Sequence, residues 1–359
     1  EAGDRIAVAP TDFAPREAET ARIEAVLPDG RTLTLDRPLA HAHFGELQSF
    51  SNGERTWTLD TRAEVGLLSR NIRIEGDAES PEDGLGGHVM AMAGAEMRLS
   101  GVELAHMGQA GEPGRYPVHW HMTGDASGQY IRDSAIHHSH NRAVTLHGTQ
   151  FARVENTVAY DIVGHAYFLE DGSETGNRLE GNLGMLTRAA ESAAEAVIPT
   201  DHSHVSTFWI SNPDNVFLGN VAAGSDHAGF WFLAGDGVTG PSADREAYAD
   251  IVPRTAPLAR FEGNAAHSNQ FANLAFDGHA DPDTLAFVES EYRPERTPVI
   301  RDFTSSKSLD RGIWIRAGAM DLHDVKAADN ARATFFSYNQ TLHDSLIVAS
   351  HRGQETTAI

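Results

Sequence analysis

A repeated pattern of short β-rich segments constrains the fold of this chain more than any other feature of its sequence. Residues 156–168 align without gaps on residues 220–232 and again on residues 264–276, and residues 133–145 fit the same frame one step earlier. Each copy has a β-rich run, a bend of polar or small residues, a second apolar run and a glycine turn. These turns lie at Gly148, Gly172, Gly237 and Gly278. Short strands and glycine turns at a period of about 20–25 residues are typical of a solenoid.

The spacing predicts an all-β fold, a right-handed parallel β-helix with rungs of about 22–25 residues. A β-sandwich or propeller with similar turn spacing is the alternative. Residues 1–60 are predicted to form a small N-terminal β region, and residues 61–359 the β-helix, with insertions near 185–204 and 238–258. Long loops on a solenoid commonly build its binding face. The Asn residues that open several copies are expected to stack as a ladder at a turn.

The run from Tyr116 to His121 points to a metal site. In an extended strand, His119 and His121 project to the same side. The chain has 19 His and no Cys, so a transition-metal site here must use nitrogen and oxygen ligands. The repeat frame places His121 level with His147 on the next rung, about 4.8 Å away.

One rung further, the same frame reaches Glu170, which is followed by Asp171. We therefore expect one divalent metal ion held by His119, His121, His147 and Glu170, with Asp171 as the alternative carboxylate. Zn is the favoured ion, and Ca, Mn, Fe and Cu are alternatives. The carboxylate left over is a candidate general acid or base, although an Asp-Gly turn with a solvated Glu would give the same pattern.

Whether these ligands face solvent depends on which alternate residues of each strand point into the core. In the favoured parity, the core-facing pairs are Val144/Leu146, Tyr167/Leu169 and Trp231/Leu233. The outer face then carries His119/His121, Thr145/His147, Phe168/Glu170 and Phe230/Phe232. Aromatic residues beside metal ligands on an outer groove would suit the stacking of sugar rings. The opposite parity buries the ligand row and makes its histidines core residues.

Several motifs, in order along nearly the whole chain, resemble those of the cell migration-inducing and hyaluronan-binding protein and its relative, the cell-surface hyaluronidase; fibrocystin-like proteins share part of the pattern. The motifs are Gly3–Ala9, Arg62–Ile72, His106–Gln109, Tyr116–His121, Ile136–His138, Gly164–His165 with Phe168 and Glu170–Gly172, Val205–Trp209 and Ala266–Asn269. The resemblance implies a G8 domain followed by parallel β-helix repeats, and extracellular hyaluronan depolymerisation. Only the end of a G8-like domain is matched, and the acidic, Lys-poor composition suggests a microbial relative.

Composition limits the partners that this chain can take. Its formal charge of −23 disfavours nucleic acid and anionic membranes. It contains no run of about 18 apolar residues, so no membrane insertion is expected. The absence of Cys excludes disulfides but does not identify a compartment. The oligomeric state cannot be read from the sequence.

These features together predict a secreted or cell-surface, metal-dependent enzyme that cleaves a polysaccharide, hyaluronan-like or otherwise acidic, by hydrolysis or β-elimination. The candidate catalytic residues are Asp171, His165, Arg142 and His138, and the candidate substrate-binding residues are Arg70, Trp209, Phe230 and Trp231. Two alternatives remain open. One is a non-catalytic glycan-binding solenoid with a structural metal, and the other is a redox metalloenzyme with a three-His, one-carboxylate site.

Overall fold

The computed structural model describes residues 1–349, and most of that length forms a parallel β-helix of three sheets, which confirms the predicted fold. Each coil adds one strand to sheet 1, then one to sheet 2, then one to sheet 3. Within residues 1–349, nine such coils follow one another, and a tenth strand extends sheet 1. A side chain that is paired in register therefore has a counterpart about 4.8 Å away on the next coil.

The strands of each sheet follow in chain order. Sheet 1 contains Ile72–Glu75, Val102–Ala105, Ala135–Ser139, Val158–Val163, Leu183–Arg188, Val221–Ser225, Ala265–His267, Thr304–Ser306, Lys326–Ala328 and Leu346–Val348. Sheet 2 contains Val89–Met92, Val118–Asp125, Val144–Gln150, Tyr167–Leu169, Ser206–Ile210, Ala228–Phe232, Ala272–Phe276, Arg311–Ile315 and Arg332–Phe336. Sheet 3 contains Arg98–Ser100, Tyr130–Arg132, Arg153–Glu155, Arg178–Glu180, Val216–Leu218, Arg260–Glu262, Val299–Arg301, Ala319–His323 and Asn339–His343.

An antiparallel region precedes the coils. Its four-stranded sheet has the spatial order Leu33–Leu35, Glu19–Val26, Arg5–Val8 and Val65–Leu67. A hairpin pairs Leu47–Ser51 with Thr56–Asp60, and a 3₁₀ turn spans Pro15–Glu17. A short α-helix, Ser80–Asp83, lies inside the first coil. None of the helices within residues 1–349 is long and apolar enough to cross a membrane.

The interior of the coils is filled by inward-facing residues of all three sheets, and those of sheet 2 include a stack of aromatic rings. Tyr167 pairs in register with Phe208, and Phe208 with Phe230. Their rings stack at centroid distances of 4.6 and 4.4 Å. Because the pairing is parallel and in register, identical or similar rings lie on top of one another along the axis, which removes apolar area from water at each step.

The predicted alignment of the repeats contains a one-residue error. Val158 pairs with Leu183, and Leu183 pairs with Val221, so Val221 is 63 rather than 64 residues beyond its counterpart. The alignment omits the coil that contains Leu183–Arg188 and Ser206–Ile210, because segment 189–205 lies between these two strands. A slip of one residue moves a strand's side chains to the opposite face. Phe230 and Phe232 therefore point into the core, and Trp231 and Leu233 point outward, opposite to the prediction.

The predicted asparagine ladder is present at two of its three positions. The backbone N–H of Asn182 donates to Asn220 Oδ1 at 3.1 Å, and that of Asn220 donates to Asn264 Oδ1 at 2.9 Å. Asn156 is not a member, because Thr157 occupies the equivalent position. Asn156 instead adopts a left-handed conformation with φ of 48° just before the ladder.

The outer side of sheet 2 carries a second hydrophobic cluster. In register beyond His119 and Thr145, one outward row continues through Phe168, Trp209, Trp231, Ala275 and Trp314. Ile198, just before the helix Pro199–Ser203, packs on this cluster, and so does Phe287 of the small pair His279–Ala280 with Phe287–Val288. A further loop contains the 3₁₀ turns Gly240–Ser242, Glu246–Tyr248 and Pro253–Thr255.

Candidate metal centre

Three histidines converge on the outer side of sheet 2. His119 and His121 lie on Val118–Asp125, and His147 lies directly opposite His121 on the next strand. One nitrogen of each ring lies within 4.8 Å of the others. The ring centroids are 5.0 Å apart for His119 and His121, and 5.0 Å apart for His121 and His147. His119 and His147 are 1% and 3% exposed, so the strand register holds both rings in a nearly closed environment.

Two carboxylates complete the cluster. Asp171 Oδ2 lies 3.0 Å from His147 Nε2, and Glu170 Oε2 lies 3.5 Å from His147 Nδ1. Neither contact has the alignment of a hydrogen bond. The buried polar atoms at this site that lack a hydrogen-bond partner are His119 Nε2, His121 Nδ1, Thr145 Oγ1, His147 Nε2, Glu170 Oε2 and Asp171 Oδ2. Clusters of buried polar atoms without hydrogen-bond partners are rare in folded proteins, because each unpaired buried polar group costs free energy of folding.

This set of donors fits a divalent cation. His119 Nδ1 lies 3.0 Å from the carbonyl oxygen of Gly114. Because a carbonyl only accepts, Nδ1 must carry the hydrogen, and the lone pair of Nε2 is left free. That arrangement is the one in which metal-binding histidines are usually held. Imidazole nitrogens with carboxylate oxygens suit Zn and other first-row metals.

The pKa values of the histidines in the cluster shift in different directions. Burial lowers the pKa of His119 to about 3, which favours a neutral ring. Burial also acts to lower the pKa of His147, but the carboxylates of Asp171 and Glu170 outweigh it and raise that pKa to about 9. For Asp171, burial acts to raise the pKa and the neighbouring His147 lowers it below its ordinary value. Burial raises the pKa of Glu170.

Glu174 is a member of the site that sequence reasoning missed. Its carboxylate is fully buried and accepts backbone N–H groups from Gly148 at 2.8 Å, Gly172 at 2.9 Å and Asp171 at 3.1 Å. It thereby fixes the turns that carry His147 and Asp171. Burial raises its pKa well above the ordinary value. The signal was available, since residues 170–174 contain three acidic residues in five.

The loop after the sixth coil's sheet 2 strand borders the same site. The backbone N–H of Thr239 donates to the carbonyl of Asp171 at 2.9 Å. Ser242 Oγ lies 3.2 Å from Ser173 Oγ, and the hydroxyl of Tyr248 donates to the carbonyl of Gly148 at 3.3 Å. A long loop therefore shapes one wall of the histidine site.

Residues 84–274 match the family model described as CEMIP beta-helix. That range is more than half of the 359 residues. The chain belongs to the CEMIP beta-helix family. The matched range contains the three histidines, both carboxylates and Glu174.

Named relatives match over most of this chain. It is 33% identical, over 91% of its length, to the cell migration-inducing and hyaluronan-binding protein of Mus musculus. It is 33% identical, over 93% of its length, to the cell surface hyaluronidase CEMIP2 of Homo sapiens. It is 32% identical, over 92% of its length, to fibrocystin-L of Mus musculus. The chain spans 28% of each of the first two relatives and 8% of the third.

Two predicted catalytic residues of this family member lie beside the site but cannot reach a substrate. His165 is fully buried, with Nδ1 3.0 Å from Ser206 Oγ and Nε2 3.1 Å from Thr200 Oγ1. Both ring nitrogens lie within hydrogen-bonding distance of side-chain hydroxyls, and the role of His165 in proton transfer stays a prediction. Arg142 is also fully buried, and Nη2 donates to Asp201 Oδ2 at 3.1 Å. Its guanidinium lies 3.3 Å from the ring centroid of Phe168. Direct contact with substrate charge is therefore excluded in this structure.

Two other candidates lie away from the site. His138 is on sheet 1, where Nδ1 lies 2.8 Å from Nδ1 of His137. The guanidinium of Arg70 donates to the backbone carbonyls of Leu67, Ser69 and Asp133, each at 2.8 Å. Arg70 thus anchors the chain where it enters the coils, and its role in neutralising substrate charge stays a prediction. The repeat frame placed His138 too close to the metal row because it did not separate the sheets.

The three aromatic candidates are buried. Phe230 is 0% exposed inside the coils because of the register error, and Trp209 is 1% exposed beneath the cluster that contains Ile198. Neither ring presents an open face to a polymer in this structure, and substrate binding by these residues stays a prediction. Trp231 is 2% exposed, but it lines a cavity on the outer side of sheet 2.

Proposed function

We propose that this chain is a metal-dependent enzyme that cleaves an acidic extracellular polysaccharide. The observation that carries this proposal is the convergence of three histidines and two carboxylates whose facing atoms lack hydrogen-bond partners. The relatives named as a hyaluronidase and as a hyaluronan-binding protein support an acidic glycan as the substrate. They also support an extracellular or cell-surface location.

The proposal assigns metal binding and proton transfer to different residues. His119, His121 and His147 would hold the ion, and one of the carboxylates Glu170 and Asp171 would complete the ligand set. A bound divalent ion would polarise a sugar carboxylate or activate a water molecule. The other carboxylate would move the proton, a role for which Asp171 replaces His165, whose nitrogens are occupied. Hydrolysis and β-elimination both need this pair of functions.

A binding protein without catalysis is the second candidate. The observation in its favour is the name of one relative, a hyaluronan-binding protein. The same histidines would then hold a structural ion. The two functions differ in whether polymer length falls on incubation.

The test compares the purified protein with and without metal on hyaluronan. The variants are His121→Ala and, as a matched control, His323→Ala, whose ring stacks on His343 on sheet 3. New reducing ends report cleavage, and ultraviolet absorbance of an unsaturated uronate separates β-elimination from hydrolysis. We expect cleavage by wild type and His323→Ala, loss after chelation or in His121→Ala, and recovery of the chelated wild type on adding Zn. Binding without new chain ends under all metals would contradict catalysis and select the binding protein.

A further inference from the structure

A second candidate ligand site lies further along the outer side of sheet 2. Its cavity of about 230 Å³ is lined in part by His204, His227, Trp231, Phe271, Arg311 and Trp314. Trp231 and Trp314 belong to the outward row that starts at His119. Counted from the coil of His147, Trp231 is three strands on and Trp314 five, which corresponds to about 14 and 24 Å.

Arg311 is held in a way that suits recognition of a carboxylate. Its guanidinium carbon lies 3.8 Å from the ring centroid of Trp314 and 4.8 Å from that of Phe271. Its one ion-pair partner among the described residues is Asp310, 3.1 Å from Nη1. The aromatic rings fix the plane of the guanidinium, and its side chain remains 22% exposed. A planar, pre-oriented guanidinium matches both oxygens of a carboxylate.

The rest of the cavity combines an apolar surface, a buried histidine nitrogen without a partner, and the carboxylates of Asp277 and Glu289, both paired with Arg316. The ring of His227 stacks on Phe271 at 4.4 Å and lies 5.2 Å from Trp231. Its Nδ1 is buried without a hydrogen-bond partner. Asp277, 7% exposed, also lines the cavity. Its Oδ2 accepts a hydrogen bond from Trp314 Nε1 at 2.8 Å, and its Oδ1 lies 3.3 Å from Arg316 Nε in an ion pair. Rings that offer a flat apolar face beside hydrogen-bonding side chains suit a sugar, which has an apolar face and peripheral hydroxyls.

We propose that this cavity is a second carbohydrate subsite, which binds one sugar residue that carries a carboxylate. Its volume is below the roughly 300 Å³ of sites for drug-sized ligands, which suits a single sugar unit. Trp231 and Phe271 form the apolar walls, His227 and Asp277 bind hydroxyls, and Arg311 binds the carboxylate. The choice of an acidic glycan rests on the proposed function, but binding here requires no metal and no cleavage.

The test measures binding to metal-free protein, so that it does not depend on turnover. The probes are a hyaluronan oligosaccharide long enough to cover both sites and a neutral chitin oligosaccharide of equal length. Calorimetry would compare wild type with Arg311→Met, which keeps an unbranched side chain but removes the charge. The control is Arg301→Met, an exposed arginine on sheet 3.

We expect Arg311→Met to weaken binding of the acidic probe by about tenfold or more, as for loss of a charged hydrogen-bonded pair. The neutral probe should bind alike to all three proteins. A second variant, His227→Phe, should weaken binding of both probes, and thermal unfolding would confirm that both variants remain folded. Unchanged affinity for the acidic probe in folded Arg311→Met, or no binding by wild type, would overturn the subsite. Binding that depends on Arg311 without cleavage by any metal form would overturn the proposed function alone.

Discussion

Two histidine clusters occur on the first coils, and they differ in what their ring nitrogens face. The sheet 2 cluster consists of His119, His121 and His147, and the sheet 1 cluster contains His137 and His138 with their neighbours. In the sheet 1 cluster, His137 Nε2 lies 3.0 Å from Glu103 Oε1, and its Nδ1 lies 2.8 Å from His138 Nδ1. In the sheet 2 cluster, one nitrogen of each ring lacks a partner.

The difference shows that an abundance of histidine does not identify a metal site. Both clusters are rich in His and both include acidic neighbours. Within residues 1–349, only the sheet 2 cluster brings nitrogens of three histidines within 4.8 Å of one another. What separates the clusters is the convergence of three ring nitrogens that lack hydrogen-bond partners. The pairing of His121 with His147, between the second and third coils, brings them together.

The largest expected effect is on catalysis, from removing one carboxylate at each cluster. Under the proposed function, Asp171→Asn should lower the rate of depolymerisation by about 10²–10⁴-fold, because it would remove the group that moves the proton. Glu103→Gln, its counterpart beside His137, should change the rate less than about threefold, since it lies on another sheet. Initial rates on hyaluronan, with circular dichroism as a check of folding, measure both. Equal losses would remove the functional distinction between the clusters.

The next largest effect is that of His147 on how the free energy of unfolding of the metal-free protein depends on pH. His147 has a raised pKa of about 9, so its protonated ring contributes stability fully below its ordinary pKa of 6.5. That contribution, at most about 3 kcal/mol, is lost as pH rises from 6.5 to 9. His137 has a pKa lowered to about 3 by burial, and it contributes nothing in that window.

Urea unfolding of chelated protein at pH 6.5 and 9 measures this loss, and His147→Ala should reduce it. The same loss in wild type and His147→Ala would show that another group is responsible. His137→Ala provides the control, because its pH dependence between 6.5 and 9 should match that of wild type.

Metal should stabilise the protein through the sheet 2 cluster alone. At a free Zn concentration of 100 times Kd, binding to the native state adds about 2.7 kcal/mol to the free energy of unfolding. His138→Ala should keep this gain, whereas His147→Ala should lose it. Thermal unfolding with and without Zn measures both variants. If His138→Ala lost the stabilisation by Zn, the ion would bind at the sheet 1 cluster instead.

A smaller effect is expected from the buried carboxylate that orients the site. Glu174→Gln replaces an acceptor oxygen with an NH₂ group that faces backbone N–H donors. We expect the Kd for Zn to rise by about 10–100-fold, the range seen when outer partners of metal ligands are removed. Competition with a fluorescent chelator measures it. Glu180→Gln, on sheet 3, is the control, and an equal change in both variants would exclude a specific role for Glu174.

Much of the fold could be predicted from the sequence because its signals are local. The step of 23 residues from Thr145 to Phe168 is uninterrupted, and the pairing in the structure follows it. The equivalence of His121 and His147 follows from the same frame. Local alternation also assigned Val144 and Leu146 to the core, where both are 1% exposed.

The rest failed where an insertion interrupted the repeat or where long-range packing decided the contacts. Segment 189–205 concealed one coil, and the resulting slip reversed the faces of Phe230 and Trp231. No sequence pattern showed that the helix Pro199–Ser203 would bring the hydroxyl of Thr200 within hydrogen-bonding distance of His165 Nε2. The role of Glu174 depends on backbone groups of two coils, which only the folded chain brings together.

The most direct test of the central claim is the metal content of the purified protein, measured by elemental mass spectrometry without added metal. Wild type, His121→Ala and the control His138→Ala would be purified in parallel. We expect about one transition-metal ion per chain in wild type and in His138→Ala, and almost none in His121→Ala. Absence of metal from wild type, or metal retained by His121→Ala, would contradict a metal centre in the sheet 2 cluster.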